Sequence, residues 1–234
     1  MERFGITAGI TLCAIFANGC WSGMAVPIAA VVLSVKGEVV FGSAERNRFQ
    51  ALTTKSFVRK GDTVRSTAGA SLDLLLFPGA LAQLAGDSEM TIEELTIVKD
   101  GNETGDGMRD RTARVRLRRG QMIIVFTRSD TSPSRLTITA GELFVSPDSD
   151  SLFTIWTDGT KARVTTAREK VLASSGPHPA ITVGAGYYLP LGIAPKKALV
   201  AADDATAQVD ITDSLRAERR LQDEWSAWQN RRLF

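Results

Sequence analysis

Histidine and cysteine are the scarcest chemistry in this 234-residue chain, with one histidine, His178, and two cysteines, Cys13 and Cys20. His178 stands between Pro177 and Pro179 in a turn. That argues against a histidine-based nucleophile triad and a multi-histidine metal centre, and favours an exposed loop histidine. Both cysteines precede the main body, so disulfides and thiolate chemistry are excluded from it. Excess charge is also missing: 28 Lys+Arg face 26 Asp+Glu, and a formal net charge of +2 gives no basis for a nucleic-acid partner. No GxSxG, P-loop or GxGxxG fingerprint stands in a strand-to-helix setting. The expectation is a protein without catalytic residues, cofactor or metal.

What is present begins at the N-terminus. No charge falls between Arg3 and Lys36, and Ile6 to Ala17 is an apolar core of signal-peptide length. Residues 1–25 therefore read as a signal peptide or lipoprotein leader, and the chain as exported, to the periplasm or cell surface. Ala17 Asn18 Gly19 Cys20 resembles a bacterial lipobox, which makes Cys20 the candidate lipidation residue and an N-terminal lipid the candidate membrane attachment. Cleavage after Ala25 or Ala30 is the rival. A retained spanning anchor is disfavoured by Asn18, Gly19, Ser22, Gly23 and Pro27.

The rest, at 44% hydrophobic and 23% charged, has the composition of one globular domain that buries about 70% of its unfolded surface. Its core unit is centred on Lys60 Gly61 Asp62 Thr63 Val64 Arg65 Ser66 Thr67, a glycine-aspartate turn entering a strand. In Ser71 to Phe77, Leu72, Leu74 and Leu76 share one face while Asp73 points to the other, the pattern of a half-buried strand. Pro78 Gly79 and Gly86 Asp87 punctuate the runs that follow. Val31 to Phe41 forms two strands about Lys36 Gly37, as a hairpin or a solenoid corner, and residues 42–56 read as a polar loop. Ala113 to Phe126 forms two strands broken at Gly120, the second apolar on both faces and so central. Leu136–Val145, Leu152–Trp156, Lys161–Thr165, Lys170–Ala173, Ile181–Val183 and Tyr187–Leu189 continue as short strands. The fold class expected is all-β, short-stranded, and solenoid-like or sandwich-like over 28–190. A linker over 191–212 and one amphipathic helix over 213–232 complete it.

Two stretches bear on contact. Arg114, Arg116 and Arg118 alternate with Val115 and Leu117, placing three guanidiniums on one strand face. Such a stripe suits an anionic polymer, a phosphate headgroup or an acidic partner, although a solvated strand protected from edge pairing is the simpler account. On the helix, Ala217, Leu221, Trp225 and Trp228 share one face, to be packed on the β-domain. Trp225 and Trp228 beside Arg219, Arg220, Arg231 and Arg232 also suit a partner or a membrane surface. The acidic run Asp100 to Asp106 begins like a calcium loop, but position 111 is arginine where an EF-hand needs glutamate, so a solvated turn is preferred.

Taken together, Val35 Lys36 Gly37 Glu38 Val39, then Gly61 to Ser71, then Leu72 to Gly79, Leu81 to Leu84 and Leu117 to Gly120 resemble the FecR-type periplasmic domain family, closely over 31–125 and loosely over 136–190. The resemblance implies a β-rich extracytoplasmic domain that acts by protein contact and has no catalytic residues. Studied members carry a cytoplasmic sigma-factor-binding segment ahead of their membrane span, for which this chain has no room before its leader. The expected function is a free-standing, non-catalytic binding or signalling module whose partner is an envelope protein or an anionic cell-wall polymer. The rivals are a carbohydrate-active enzyme on a β-solenoid, which needs two converging carboxylates, and a structural component of a surface assembly.

Overall fold

The structure, a computed structural model, describes residues 24–43, 45, 48–99, 108–128, 133–176, 178–191 and 197–232. Residues 1–23 of the expected leader, with Cys20, and the acidic run Asp100 to Asp106 lie outside the described residues, whereas the leader's last two residues, Met24 and Ala25, are in strand. Among those described, strands β1 (Met24–Pro27), β2 (Ala29–Lys36), β3 (Val39–Ser43), β4 (Arg48–Ala51), β5 (Phe57–Arg59), β6 (Thr63–Ser66), β7 (Ser71–Phe77) and β8 (Ala80–Leu84) form the first part. They are followed by β9 (Glu89–Lys99), β10 (Met108–Phe126), β11 (Ser134–Ala140), β12 (Leu143–Thr157), β13 (Ala162–Ser175), β14 (Ile181–Gly184), β15 (Tyr187–Leu191) and β16 (Leu199–Val200). A short 3-10 turn at Ala201–Asp203 leads into helix α1 (Ala205–Arg232), the one α-helix among the described residues. The fold is all-β with a C-terminal helix, as the sequence implies.

All sixteen strands belong to one hydrogen-bonded sheet that folds over on itself. The first layer runs β5-β2-β7-β8, then the second half of β10, the second half of β12, the first half of β13, β15 and β16. The second layer runs β4-β3-β6-β9, then the first half of β10, β11, the first half of β12, the second half of β13 and β14. Strand β1 extends the second layer along β9, and among the described residues β10 with β11 is the one parallel pair among antiparallel ones.

Between the layers lies the main core, fed by period-2 alternation. Leu72, Leu74 and Leu76 of β7, Ala82 and Leu84 of β8, and Met122, Ile124 and Phe126 of β10 meet Val39, Val64, Met90, Ile92, Val115 and Ile138 from the other layer. A smaller cluster on the outer side of the first layer joins Leu33, Leu75, Leu81, Ile123, Val125 and Leu152 to Ala217 and Leu221 of α1. The helix therefore covers that side, packing across β13, β12, β10, β8 and β2.

Several expectations change. The three longest strands have 19, 15 and 14 residues, because β10, β12 and β13 each pass from one layer into the other. The sequence shows the bend as a break. Gly120, at φ 92°, is where β10 crosses, and an added Cβ there would lie 2.0 Å from Ser88 Oγ. In β13 the separately expected runs Lys161–Thr165 and Lys170–Ala173 are one strand carrying a register shift, with Glu169 at φ 57°. Strands β2 and β3 do not pair with each other, so Lys36 Gly37 is a corner between layers rather than a hairpin. The span 42–56 contains β4, paired to β3. The expected linker over 191–212 holds β16, the 3-10 turn and the start of α1, which begins at Ala205 rather than 213. Asp204 sets that start by accepting the Ala207 N–H at 2.9 Å on its carboxylate, as an N-cap does. Finally, β7 is buried on both faces, because α1 seals the face on which Asp73 lies.

Candidate contact surfaces

The arginine stripe lies on the outer face of the second layer. Arg114, Arg116 and Arg118 are exposed, and Val115 and Leu117 between them are fully buried. Strand β10 is interior here, between β9 and β11, so the stripe is not guarding an edge. Its neighbours come from β9 and β6. Arg114 meets Glu94 at 3.2 Å, Arg116 donates to Glu93, and Arg118 lies 3.7 Å from Glu89, which also takes the Nε–H of Arg65 at 3.0 Å. A register shift between Arg114 and Val115 lets the consecutive Glu93 and Glu94 serve two arginines. The Arg65 guanidinium also covers the Phe49 ring at 4.2 Å. The result is a ladder in which four guanidiniums, from Arg65, Arg114, Arg116 and Arg118, share three carboxylates, from Glu89, Glu93 and Glu94.

The same chemistry is buried under α1. Asp210 accepts from Thr165 Oγ1 at 2.8 Å, Arg163 Nε at 2.9 Å and Gln121 Nε2 at 3.2 Å. One turn on, the Ser214 hydroxyl donates to the Asp210 carbonyl at 2.7 Å, so the Thr154 hydroxyl, 2.6 Å away, must be the donor of their mutual bond. Glu218 takes both terminal nitrogens of Arg168, the second at 2.8 Å. Arg220 grips Asp73 through two nitrogens, at 2.8 and 3.2 Å, and Gln83 Nε2 donates to the same carboxylate at 2.9 Å. Burial holds the Asp73 carboxyl above its ordinary range, and Arg220 offsets only part of that.

The tryptophans sit on the last turns of α1. Trp225 and Trp228 are half-buried, stack with centroids 5.1 Å apart, and pack against the small cluster as the spacing predicts. At the other end of α1, Tyr188 bonds to Asp204, and burial chiefly raises the Tyr188 hydroxyl pKa. The N-cap bond from Ala207 lowers that of Asp204. Arg163 also lies over the Trp156 ring at 5.5 Å. His178 is exposed, as expected. Among the described residues no group of three or more His, Cys, Asp or Glu could hold a metal ion, and no helix is long and apolar enough to cross a membrane.

Sequence reasoning missed Glu89, Glu93, Glu94 and Arg65 as partners of the stripe, and Asp73, Asp210 and Glu218 as anchors of the helix. One signal was present. Asp73 is a lone charge inside a leucine strand, and such a charge needs a partner if its face is covered.

No family model and no curated protein matches the chain. Two solved structures, both of a "putative anti-sigma factor" from Parabacteroides distasonis ATCC 8503, are similar to part of it. One, at 1.65 Å resolution, is 11% identical with a TM-score of 0.40; the other, at 2.50 Å, is 12% identical with a TM-score of 0.41. Each alignment covers 58% of this chain, which spans 57% of the chain it matches.

Proposed function

We propose that this chain is a non-catalytic extracytoplasmic module of the FecR type, exported by its leader and held at the envelope through Cys20, that works by binding an envelope protein. The observation that carries the reading is the arginine ladder on the open face of the second layer. Three of its arginines stand on β10 and one on β6, both interior strands, so the backbone beneath them is held on both sides, and the four outnumber the three carboxylates that serve them. Glu89 is shared by Arg65 and Arg118, and Arg118 sits at a loose 3.7 Å. A partner carboxylate that meets Arg118 completes a pair already half made. Because every arginine of the stripe has a carboxylate neighbour, binding proceeds by exchange of partners. This favours a folded protein with acids at matching spacing over a flexible polyanion, which gains little where positive charge is locally balanced. The buried carboxylates Asp73, Asp210 and Glu218 are each bound to an arginine of the fold, which supports a structural use for them rather than acid-base work.

The test is a photoreactive residue in place of Arg118, irradiated in intact envelopes, with Arg116→Glu and Arg114→Glu as controls. A discrete adduct that disappears in the charge-reversed variants is expected. An adduct pattern unchanged by reversal removes the ladder from the function. Cys20→Ser should move the protein out of the membrane fraction washed at high salt, and unchanged fractionation after that wash removes the lipid.

A further inference from the structure

The helix covers the first layer unevenly, and the part left open has its own chemistry. Strand β5 is the last strand of that layer, paired only to β2 among the described residues, with Phe57 opposite Val31 and Arg59 opposite Ala29. Opposed residues share a face. Val31 packs on the small cluster beneath α1, so Phe57 lies on that same outer side, while Val58 between Phe57 and Arg59 is fully buried in the main core. The last turns of α1 bring Trp225 and Trp228 onto this side and stop there, leaving Phe57 47% exposed. Phe57 beside Val31, and Trp225 stacked on Trp228, thus lie on the same outer side of the first layer, an aromatic corner of the molecule.

Around it stand exposed cations: Lys55, Arg59 and Lys60 in and beside β5, and Arg231 one turn beyond Trp228. The acids nearby are the exposed Asp223, Asp62, whose carboxylate is taken up by the Arg59 N–H at 2.8 Å, and Glu224, whose charge bears on Asp73. Aromatic rings with a polar edge, fringed by long cationic side chains, match the boundary between headgroups and acyl chains. The chain enters along β1 in the second layer and crosses to the first layer at β2, the strand beside Phe57. The apolar stretch Ile6 to Ala17 and Cys20 join the body at Met24, and β1 and β2 carry the chain from there to Val31 in about 23 Å of strand.

We infer that this corner is a membrane-docking surface: Phe57 and the Trp225–Trp228 pair enter the interface of an anionic bilayer, and Lys55, Arg59, Lys60 and Arg231 meet its headgroups. The inference rests on the proposed attachment at the N-terminus, which would hold the corner near the bilayer. It adds an orientation, with the aromatic corner toward lipid and the ladder of the second layer free for a partner.

The experiment uses the full chain on vesicles of phosphatidylglycerol or of phosphatidylcholine, each with brominated acyl chains that quench tryptophan on contact. Quenching is expected on phosphatidylglycerol, with an at least fivefold weaker effect on phosphatidylcholine or at high salt. Phe57→Ser and the exposed-loop variant Lys55→Glu/Lys60→Glu should each weaken it, the latter more than tenfold, with far-UV circular dichroism unchanged. Vesicle binding that persists in every variant, with equal quenching on both lipids, means that the N-terminus alone holds the membrane. That overturns the docking surface and leaves the proposed attachment standing. Loss of all vesicle binding in Cys20→Ser with the corner intact also overturns it. A concentration-dependent doubling of mass abolished by Phe57→Ser assigns the corner to a second copy instead.

Discussion

The two outer faces of this sandwich use one kind of bond in opposite ways. On the second layer, arginine–carboxylate pairs stand in water, where each contributes about 0–1 kcal/mol and keeps its ends available for exchange. Under α1 the carboxylates of similar pairs are buried, where desolvation cancels most of the attraction and the penalty appears when the cation is removed. The first arrangement makes a surface and the second makes a register. Asp210, Ser214, Glu218 and Arg220 each need a particular residue on β7, β10, β12 or β13, so a one-residue slide of the helix strands all of them. Leu221 and Ala217 supply apolar burial but little discrimination among registers.

This contrast can be broken most severely where β10 crosses from one face to the other. Gly120→Ala forces a Cβ against Ser88, whose hydroxyl accepts the Gln121 N–H at 3.0 Å, and should cost about 4 kcal/mol or more in urea unfolding. Next is Arg220→Ala, which leaves Asp73 buried without its cation. About 3 kcal/mol is expected, below the largest losses for buried pairs because a third of the guanidinium side chain is in water. The paired change Asp73→Leu/Arg220→Met should recover most of that loss, and a double variant as unstable as the single one would mean the ion pair itself holds the helix.

Glu218→Ala should cost about 1 kcal/mol, since the Arg168 side chain is already 53% exposed and stays solvated. The titration of Asp73 is a finer probe. Its folded pKa is raised, so ionising it opposes folding, and its contribution is lost as pH rises from about 3.9 through the folded value. Asp73→Asn should therefore flatten that portion of the stability curve, and an unchanged slope would show that another group titrates there. Smallest of all, Arg116→Ala should change stability by less than about 1 kcal/mol, an effect that shrinks further in 1 M salt. A loss comparable to that of Arg220→Ala would erase the distinction between the faces.

Much of the framework was legible from local pattern. The alternation of Leu72, Leu74 and Leu76, the arginines facing away from Val115 and Leu117, and the stripe Ala217, Leu221, Trp225, Trp228 each point as the sequence says. Those are properties of one strand or one helix. The half-buried reading of β7 failed because its second face is closed by a helix from the other end of the chain. The breaks read at Gly120 and near Glu169 were bends, since a glycine or a bulge marks a change of direction equally well whether or not pairing continues beyond it.

By itself the sequence determined which side chains alternate inward, where the chain turns, and that a C-terminal amphipathic helix follows the strands. The periods of strand and helix act over a few residues and need no partner. Only the tertiary structure decided that Asp73 meets Arg220, that Asp210 gathers Gln121, Arg163 and Thr165, and that Glu89, Glu93 and Glu94 tie down the arginine stripe. Those pairings depend on register and on the order in which strands lie side by side, and both are set by how the whole core closes.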